Sequence, residues 1–496
     1  MSSAQEGTAS QRRWLAAIGA TLYVVVSLVS PRFDFAAIAS LHPFLNLQQL
    51  ADPELLQNHL VPTLWNLHMQ PPLFNLEVGL LLHLPHILGL LLMQLVCGAL
   101  YVATGLWTFK TMTRLRVGAR TAMIVTIVLV YLDPAQLFFA QSVLYVGTAA
   151  ALATASTYFA VRFAQEPTTR HAAWLTGTGA VLCLYVTSLQ PVVLVAILAM
   201  VWWLYPAARP ALKKGALVPV IVLASFVLKS TVMFHTPMTS TWAGMNLARV
   251  TTDLAPYERL VRMTNSNDFS PYVFVKSFSK LEVYEEYNDG SRPYPPGGDS
   301  VRTQILKSTG AINYNNDAYR GIAARSMSDG IRFIRHAPGE YFNHVIRGLA
   351  IWSVPSEQYF LCPLPQTGVL SGYAHFYDAV IGGQVRPIRS LEAQQQLRYS
   401  GVDWPSRSPL ALFLTLLTII GGLYLVVRSW RRRRAASLEY FLPWLLVAQG
   451  FVLMNTTDVG ENQRFRFQLG TVFITFGVVV VTGLCRSIQR RYRASH

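Results

Sequence analysis

The segment "GENQRFRFQLG" (460–470) places charged side chains at the beginning of an apolar stretch, among them Glu461, Arg464 and Arg466. A guanidinium group is planar, keeps its charge at low dielectric and can donate two parallel hydrogen bonds to one phosphate. We therefore interpret the two arginines as a phosphate-binding pair at a membrane surface. Ion pairing with Glu461 or Asp458 is the alternative role.

A second candidate for chemistry is Asp34 in "SPRFDFAAI", just after the first apolar stretch. A carboxylate at the mouth of a membrane cavity can act as a general base on an acceptor hydroxyl or amine. A salt bridge with Arg32 is the alternative. Asp52 and Glu54 in "ADPELL" have the pattern of a helix start, with Asp52 as N-cap and proline at the first helical position. They remain the other possible position of a base.

Three histidines, His68, His83 and His86, lie close together in the chain. Their spacing matches no common metal-ligand pattern, so we expect no metal site. His68 belongs to the polar stretch "NLHMQ", which ends at Gln70. A histidine there can orient a phosphate or carry a proton. The alternative is a histidine that is hydrogen-bonded for structural reasons.

The composition is that of a membrane protein. The chain has 496 residues, 52% of them hydrophobic and 13% charged, whereas soluble domains contain about 25% charged residues. Three of the four cysteines lie in apolar runs, so we expect no disulfide framework. A net charge of +16 would suggest nucleic acid as the partner of a soluble protein. Here the positions of the charges indicate another cause.

The apolar stretches predict about ten transmembrane helices, since about 20 apolar residues cross about 30 Å of hydrocarbon. We read the first as an uncleaved helix, because no clear small-x-small cleavage site follows it. The expected fold class is an all-α polytopic membrane protein. The predicted spans are 13–30, 87–108, 119–133, 142–162, 172–188, 191–206, 215–234, 409–428, 438–456 and 467–485.

Basic residues decide the predicted orientation. If ten spans alternate, every basic cluster beside a span falls on one side, including "RSWRRRR" after span eight and "RSIQRRYR" after span ten. The positive-inside rule places that side, with both termini, in the cytoplasm. This distribution explains most of the net charge without nucleic acid.

The same orientation divides the chain into three parts. Residues 1–234 form an N-terminal module of about seven spans, with a first outer loop at 31–86. Residues 235–408 form an extracytoplasmic region, which we expect to be of mixed structure. Residues 409–496 form a C-terminal module of about three spans.

The segment "QPPLFNLEVGLLLHLP" (70–85) is apolar but too short to cross a bilayer. Leu73–Leu84 would be roughly 18 Å long as a helix. Pro71 and Pro72 suit a helix start, and Pro85 stops or kinks the helix. We expect an interfacial or re-entrant helix that roofs a cavity. A bent entry to span two is the alternative.

Two motifs, combined with this topology, resemble one enzyme superfamily. "LHMQPPLFN" and "GENQRFRF" resemble segments of the polytopic glycosyltransferases of the C-type fold, which include dolichyl-phosphate-mannose protein mannosyltransferases and the aminoarabinose transferase that modifies lipid A. In that superfamily an acidic residue after span one is the usual catalytic base, and Asp34 matches it by position. The resemblance is patchy over most of the chain. This chain has no adjacent Asp-Glu pair after span one, and Gln141 stands where a glutamate often does.

The resemblance implies a glycosyltransferase of the cytoplasmic (inner) membrane. It would move a sugar, with inversion, from a polyprenyl-phosphate donor to a glycan, lipid or protein acceptor on the outer face. No cofactor beyond this lipid-linked donor and no nucleic-acid partner is expected. Asp34 would be the base, and the expected substrate-binding residues are His68, Gln70, Glu461, Arg464 and Arg466.

Two other functions remain open. The first is a flippase or transporter of lipid-linked sugars, and the second is an inactive scaffold member of the same superfamily. A transporter would typically have ionisable residues within its spans and broken helices in paired halves. Here the titratable residues cluster in the outer loops, which favours the enzyme.

Overall fold

The computed structural model of the protein describes residues 3–29, 45–142, 144–187, 190–266, 269–287, 300–362, 368–432 and 434–495. The predicted base Asp34 and its possible partner Arg32 lie outside the described residues.

Within the described residues the protein is helical. Among these residues, the β-type backbone pairing is limited to an isolated antiparallel bridge between Leu306 and Ile312. The α-helices of the N-terminal half are α1 (Ser3–Val29), α2 (Pro53–Asn58), α3 (Leu60–Trp65), α4 (Pro72–Leu82), α5 (His86–Arg114), α6 (Ala119–Thr126), α7 (Pro134–Phe139), α8 (Val146–Gln165), α9 (Thr169–Tyr185), α10 (Pro191–Leu204) and α11 (Arg209–Phe234).

The C-terminal half continues in the same way. Its α-helices are α12 (Ala243–Val250), α13 (Tyr257–Asn265), α14 (Leu281–Glu285), α15 (Ala318–His336), α16 (Pro338–Trp352), α17 (Val369–Tyr377), α18 (Leu391–Ser400), α19 (Pro409–Leu416), α20 (Gly422–Arg432), α21 (Arg434–Thr457) and α22 (Asn462–Ser495). Three single π-helical turns extend or join these helices. Ile127–Tyr131 continues α6, and Asp378–Gly382 continues α17. Leu417–Gly421 joins α19 to α20.

Within the described part of the chain, five helical segments are long and apolar enough to cross a membrane: His86–Arg114, Pro206–Phe234, Pro409–Arg431, Leu438–Thr457 and Asn462–Gln489. The described residues of each of the ten predicted spans lie mostly in helices. The membrane character is therefore supported, and the count of ten spans stays a prediction.

The exposed faces of the long helices are apolar. On α5, Ile87, Leu88, Leu91 and Leu95 are all more than half exposed. These residues recur along one face of the helix. Such a stripe would be unfavourable in water and is typical of a helix that contacts lipid.

Helix α8 lies at the centre of the helical bundle, in contact with α5, α9, α21 and α22. Its buried residues are mostly alanine, threonine and serine. Small side chains allow neighbouring helices to approach closely within a membrane bundle. The hydroxyl of Thr154 on α8 contacts that of Thr471 on α22. The bundle core is thus held by close helix packing around α8.

The short apolar helix predicted after the first outer loop is present as α4, with prolines at its start. The helix ends at Leu82, before Pro85. The predicted N-cap is also confirmed, because Asp52 accepts a hydrogen bond from the backbone N–H of Glu54. The depth of α4 in the membrane stays a prediction.

The outer region was expected to be of mixed structure; its described regular elements are helices, joined by non-helical segments that include the bridge between Leu306 and Ile312. Helix α12 packs along α15, and the two helices meet at Gly244. A Cβ atom at Gly244 would overlap the backbone carbonyl of Ala323. The absence of a side chain at this position therefore sets the distance between the helices.

We expect Gly244→Ala to destabilise the protein, because backbone cannot move aside as a flexible side chain can. Overpacking of this kind costs about 1–3 kcal/mol. Gly321→Ala on α15 is the matched control, since a Cβ atom there meets nothing within 4 Å. Thermal unfolding of both purified variants in one detergent tests the expectation. Equal melting temperatures for the two variants would show that α12 can shift away from α15.

Candidate functional site

A polar cavity of about 290 Å³ lies where the outer segments meet the beginning of the last long helix. The first outer loop, α12 and the turn between α21 and α22 all contribute to its wall. Both aromatic side chains and carboxamides line it. The carboxamide residues that line it are Gln48, Gln49, Gln70, Gln190, Asn246 and Gln468.

The turn between α21 and α22 depends on Gly460 and Asn462. Gly460 has a φ of 123°, a conformation that favours glycine. Its N–H donates to the side-chain oxygen of Asn462, 3.1 Å away, at the first residue of α22. The Asn462 amide nitrogen in turn donates to the backbone oxygen of Asp458 at 3.1 Å. These bonds hold Asp458 and Glu461 toward the cavity.

Four charged side chains form a network in the cavity wall. Nη1 of Arg249, on α12, lies 3.0 Å from Oδ2 of Asp458 and 3.3 Å from Oε1 of Glu461. Glu461 also forms an ion pair with Arg464 on α22. Two positive and two negative groups therefore balance, and the network links α12 to the last long helix.

Arg464 is surrounded by aromatic rings. Its Nη1 donates to the hydroxyl of Tyr145 at 2.7 Å. Its guanidinium carbon lies 5.6 Å from the ring centre of Tyr145, 5.2 Å from that of Tyr359 and 4.7 Å from that of Phe465. Rings at these distances attract a cation through their quadrupoles. The side chain is thus held in one orientation.

The two carboxyl groups of the network respond differently to burial. Burial raises the pKa of Asp458 to about 6, against the opposing effect of Arg249. Burial alone would also raise the pKa of Glu461, but Arg464 and Arg249 outweigh it and hold that pKa below its ordinary value. Both groups are therefore charged at neutral pH. Below about pH 6 Asp458 takes up a proton and its attraction for Arg249 is lost.

Seven polar atoms of the lining residues are buried and have no hydrogen-bond partner within the described part of the chain. A buried polar atom without a partner costs about 1–3 kcal/mol, so such a cluster is typical of a site for a polar ligand. The four acceptors and three donors are Oε1 of Gln49, Gln190 and Gln468, Oδ1 of Asp458, Nε1 of Trp242, and Nε of Arg249 and Arg464.

Three of the predicted substrate-binding residues, Gln70, Glu461 and Arg464, line the polar cavity. Arg466 does not. Residues at i and i+2 of a helix point about 200° apart, at 3.6 residues per turn. Because α22 begins at Asn462, Arg464 and Arg466 point in different directions. The two arginines therefore line different cavities, and their role as substrate-binding residues stays a prediction.

Arg466 lines a second, smaller cavity, together with Asp133, Glu357 and Asp378. Its Nη1 donates to the backbone oxygen of Trp352 at 2.7 Å, and its Nη2 to Oγ of Ser356 at 3.1 Å. These partners are neutral.

His68 has the hydrogen bonds of a structural histidine, and its predicted role in substrate binding stays a prediction. It is buried, and it is not among the residues of the cavity wall. Nδ1 lies 2.9 Å from Oγ1 of Thr241, and Nε2 lies 2.9 Å from the backbone oxygen of Asn315. Burial lowers the pKa of His68 to about 3, so the ring is neutral at physiological pH. Its observed contacts join the first outer loop to the outer region.

Sequence reasoning did not assign a role to Trp242, Asn246 or Arg249. All three lie in "TSTWAGMNLARV" (239–250) at positions i, i+4 and i+7, which share one face of a helix. This aromatic and polar stripe on an outer helix was the available signal. Tyr145, on the other hand, carried no local signal, because its partner Arg464 lies 319 positions away.

Comparison with family models, with curated proteins and with solved structures finds no match for this chain. The apolar helices indicate a helical membrane protein, and a cavity with many polar wall residues lies within its fold.

We expect Glu461→Gln to destabilise the protein by roughly 3–5 kcal/mol, because removing one partner leaves buried positive charge uncompensated. Glu285→Gln removes an exposed carboxylate and should have almost no effect. Denaturant titration of both variants in mixed micelles measures the difference. A Glu461→Gln variant as stable as the wild type would mean that the network does not hold α12 against α22.

Proposed function

We propose that the protein is a membrane glycosyltransferase that moves a sugar from a polyprenyl-phosphate donor to an acceptor on the outer face of the cytoplasmic membrane. The observation that carries this proposal is the cluster of seven buried, unpartnered donors and acceptors around one cavity. Each sugar hydroxyl both donates and accepts hydrogen bonds, so a sugar can satisfy both kinds of atom. The tyrosine, tryptophan and phenylalanine side chains of the wall suit the apolar faces of a sugar ring.

The donor phosphate belongs beside Arg464 in this proposal. Nε of Arg464 and Nε of Arg249 are buried N–H donors that have no acceptor among the described residues. Such donors stabilise the negative charge that develops on a leaving phosphate, since they are already oriented and water is excluded. Because the network with Asp458 and Glu461 is balanced, these donors serve an anion without a large excess of positive charge.

The reaction would be a single displacement. A carboxylate takes the proton of the acceptor hydroxyl, the acceptor oxygen forms a bond to C1 of the sugar, and the bond between C1 and the phosphate oxygen breaks. Polyprenyl phosphate leaves with the bonding electron pair, and the configuration at C1 inverts. We assign the base to Asp34 because it follows the first long helix, as the resemblance implies.

The membrane arrangement of this proposal has ten spans, both termini in the cytoplasm, and residues 235–408 outside. Helix α4 then lies in the outer interface beside the polar cavity, to which Gln70 contributes from just before the helix. A lipid-linked donor fits this arrangement, because its chain stays in the bilayer while its sugar reaches the outer face. The basic flanks of the spans support the orientation.

The direct test uses the full chain in lipid nanodiscs and a panel of radiolabelled polyprenyl-phosphate sugars. Binding of one member, followed by release of polyprenyl phosphate in the presence of an acceptor extract, is the expected result. In proteoliposomes, movement of the intact lipid-linked sugar between leaflets without release would favour the flippase instead. Neither binding nor movement of any donor would overturn the proposal.

We expect Arg464→Lys to lower transfer by about ten- to a hundredfold. Lysine keeps the charge but loses the planar fork and its free Nε donor, and each 1.36 kcal/mol changes a rate tenfold. Arg466→Lys should have a clearly smaller effect, because that side chain lines the other cavity. Initial rates at limiting donor concentration measure both. A larger loss in the Arg466 variant would place the phosphate in the second cavity.

We expect Asp34→Asn to abolish transfer while donor binding and thermal stability stay near those of the wild type. The amide has almost the shape of the carboxylate but cannot take up the acceptor proton. Glu54→Gln, at an exposed position of the same outer segment, is the control. Full activity of the Asp34 variant together with loss in the Glu54 variant would move the base to "ADPELL".

We expect the region 235–408 to be accessible from outside the cell. Val385, which is 82% exposed, is a suitable position for a single cysteine in a variant without the four native ones. An impermeant maleimide should label Val385→Cys in intact cells and Gln489→Cys, near the C-terminal basic cluster, only after lysis. The reverse pattern would invert the proposed topology.

A further inference from the structure

The second cavity lies on the other side of α22 from Arg464 and has a volume of about 110 Å³. We call it the acidic cavity, because Asp133, Glu357 and Asp378 all line it. Arg466 is the one basic side chain of its wall within the described residues. The rest of the wall is mostly apolar and includes Leu129, Leu410, Leu414, Phe473 and Ile474.

The carboxyl groups of the acidic cavity are not neutralised by Arg466. Its two terminal nitrogens donate to the neutral oxygens of Trp352 and Ser356. Among the described residues, it forms no ion pair with any of the three carboxylates. Three acidic side chains therefore share the influence of one arginine, so acidic groups outnumber basic ones in the described part of the wall.

Glu357 has an unpartnered oxygen in this wall. The residue is 3% exposed, and its Oε1 has no hydrogen-bond partner in the described part of the chain. Asp378 receives a weak hydrogen bond from Nε2 of Gln358 at 3.3 Å. Burial raises the pKa of Glu357, and the neighbouring Asp378 raises it further. These two carboxyl groups are hydrogen-bonded to each other, and among the described residues neither forms an ion pair with a basic side chain.

One wall of the acidic cavity is formed by a candidate membrane span. Leu410 and Leu414 lie one turn apart on α19, which belongs to the candidate span Pro409–Arg431. Both side chains are only partly buried. A hydrocarbon chain beside this helix can therefore reach the apolar part of the wall while its polar end meets the carboxyl groups.

We propose that the acidic cavity binds a primary ammonium group carried on a hydrocarbon chain. An ammonium group has three N–H donors and one positive charge, which suits three carboxyl groups around one small volume. The apolar wall suits the carbon atoms attached to the nitrogen. The same chemistry is present in the ethanolamine headgroup of a phospholipid and in a water-soluble alkylamine.

The test compares lipids that differ in their N–H donors. The full chain is placed in phosphatidylcholine nanodiscs with and without phosphatidylethanolamine, and thermal unfolding and the lipids retained in native mass spectrometry are measured. Phosphatidylethanolamine should raise the melting temperature and be retained, whereas phosphatidylcholine has no N–H to donate. Butylamine in detergent is the second arm, and stabilisation by butylamine alone identifies a soluble amine as the ligand.

Substitutions in the wall of the acidic cavity test whether ammonium binding occurs there. Glu357→Gln should weaken ammonium binding about tenfold or more, as expected for loss of a charge-assisted hydrogen bond. Asp378→Asn serves as a second variant if the first does not fold. The control Glu392→Gln, at an exposed position on α18, should bind like the wild type. The proposal would be overturned if both lipids stabilised the protein equally and butylamine had no effect. It would also be overturned if the cavity variants bound ammonium as well as the wild type.

Discussion

The ion network of Arg249, Asp458, Glu461 and Arg464 is the constraint on which the polar cavity depends. Buried charges are tolerated only when each has a partner, and losing one partner costs about 3–5 kcal/mol. The network therefore requires α12 to remain against the turn before α22. The position of α12 in turn places Trp242 and the unpartnered nitrogen of Arg249 at the cavity wall.

Buried asparagine side chains hold the first outer loop against the polar cavity, as the ion network holds α12. The side-chain oxygen of Asn315 accepts from the backbone N–H groups of His68 and Met69, at 2.8 and 3.1 Å. The side-chain oxygen of Asn75, on α4, accepts from the N–H of Ala51 at 2.7 Å. Backbone groups without secondary-structure partners must be satisfied in some other way when buried. These bonds hold the loop at the cavity, with Gln70 beside it.

The two cavities share the beginning of α22 and the segment before α17. Tyr359 contacts the guanidinium of Arg464 on one side, and Glu357, two residues earlier, lines the acidic cavity on the other. Ser356 links them, since its hydroxyl donates to the backbone oxygen of Gln463 and accepts from Arg466. These shared contacts fix the positions of the two cavity walls relative to each other.

Local sequence determined the helical membrane character, the short helix bounded by prolines and the N-cap at Asp52, because hydropathy, chain length and capping act within a few turns. The tertiary structure decided which charged residues meet. Arg464 and Arg466 seemed a pair in the sequence, yet helix geometry separates them into two cavities. Tyr145 and Arg249 join Arg464 from positions hundreds of residues away in the chain, since only packing of the long helices brings such distant residues together.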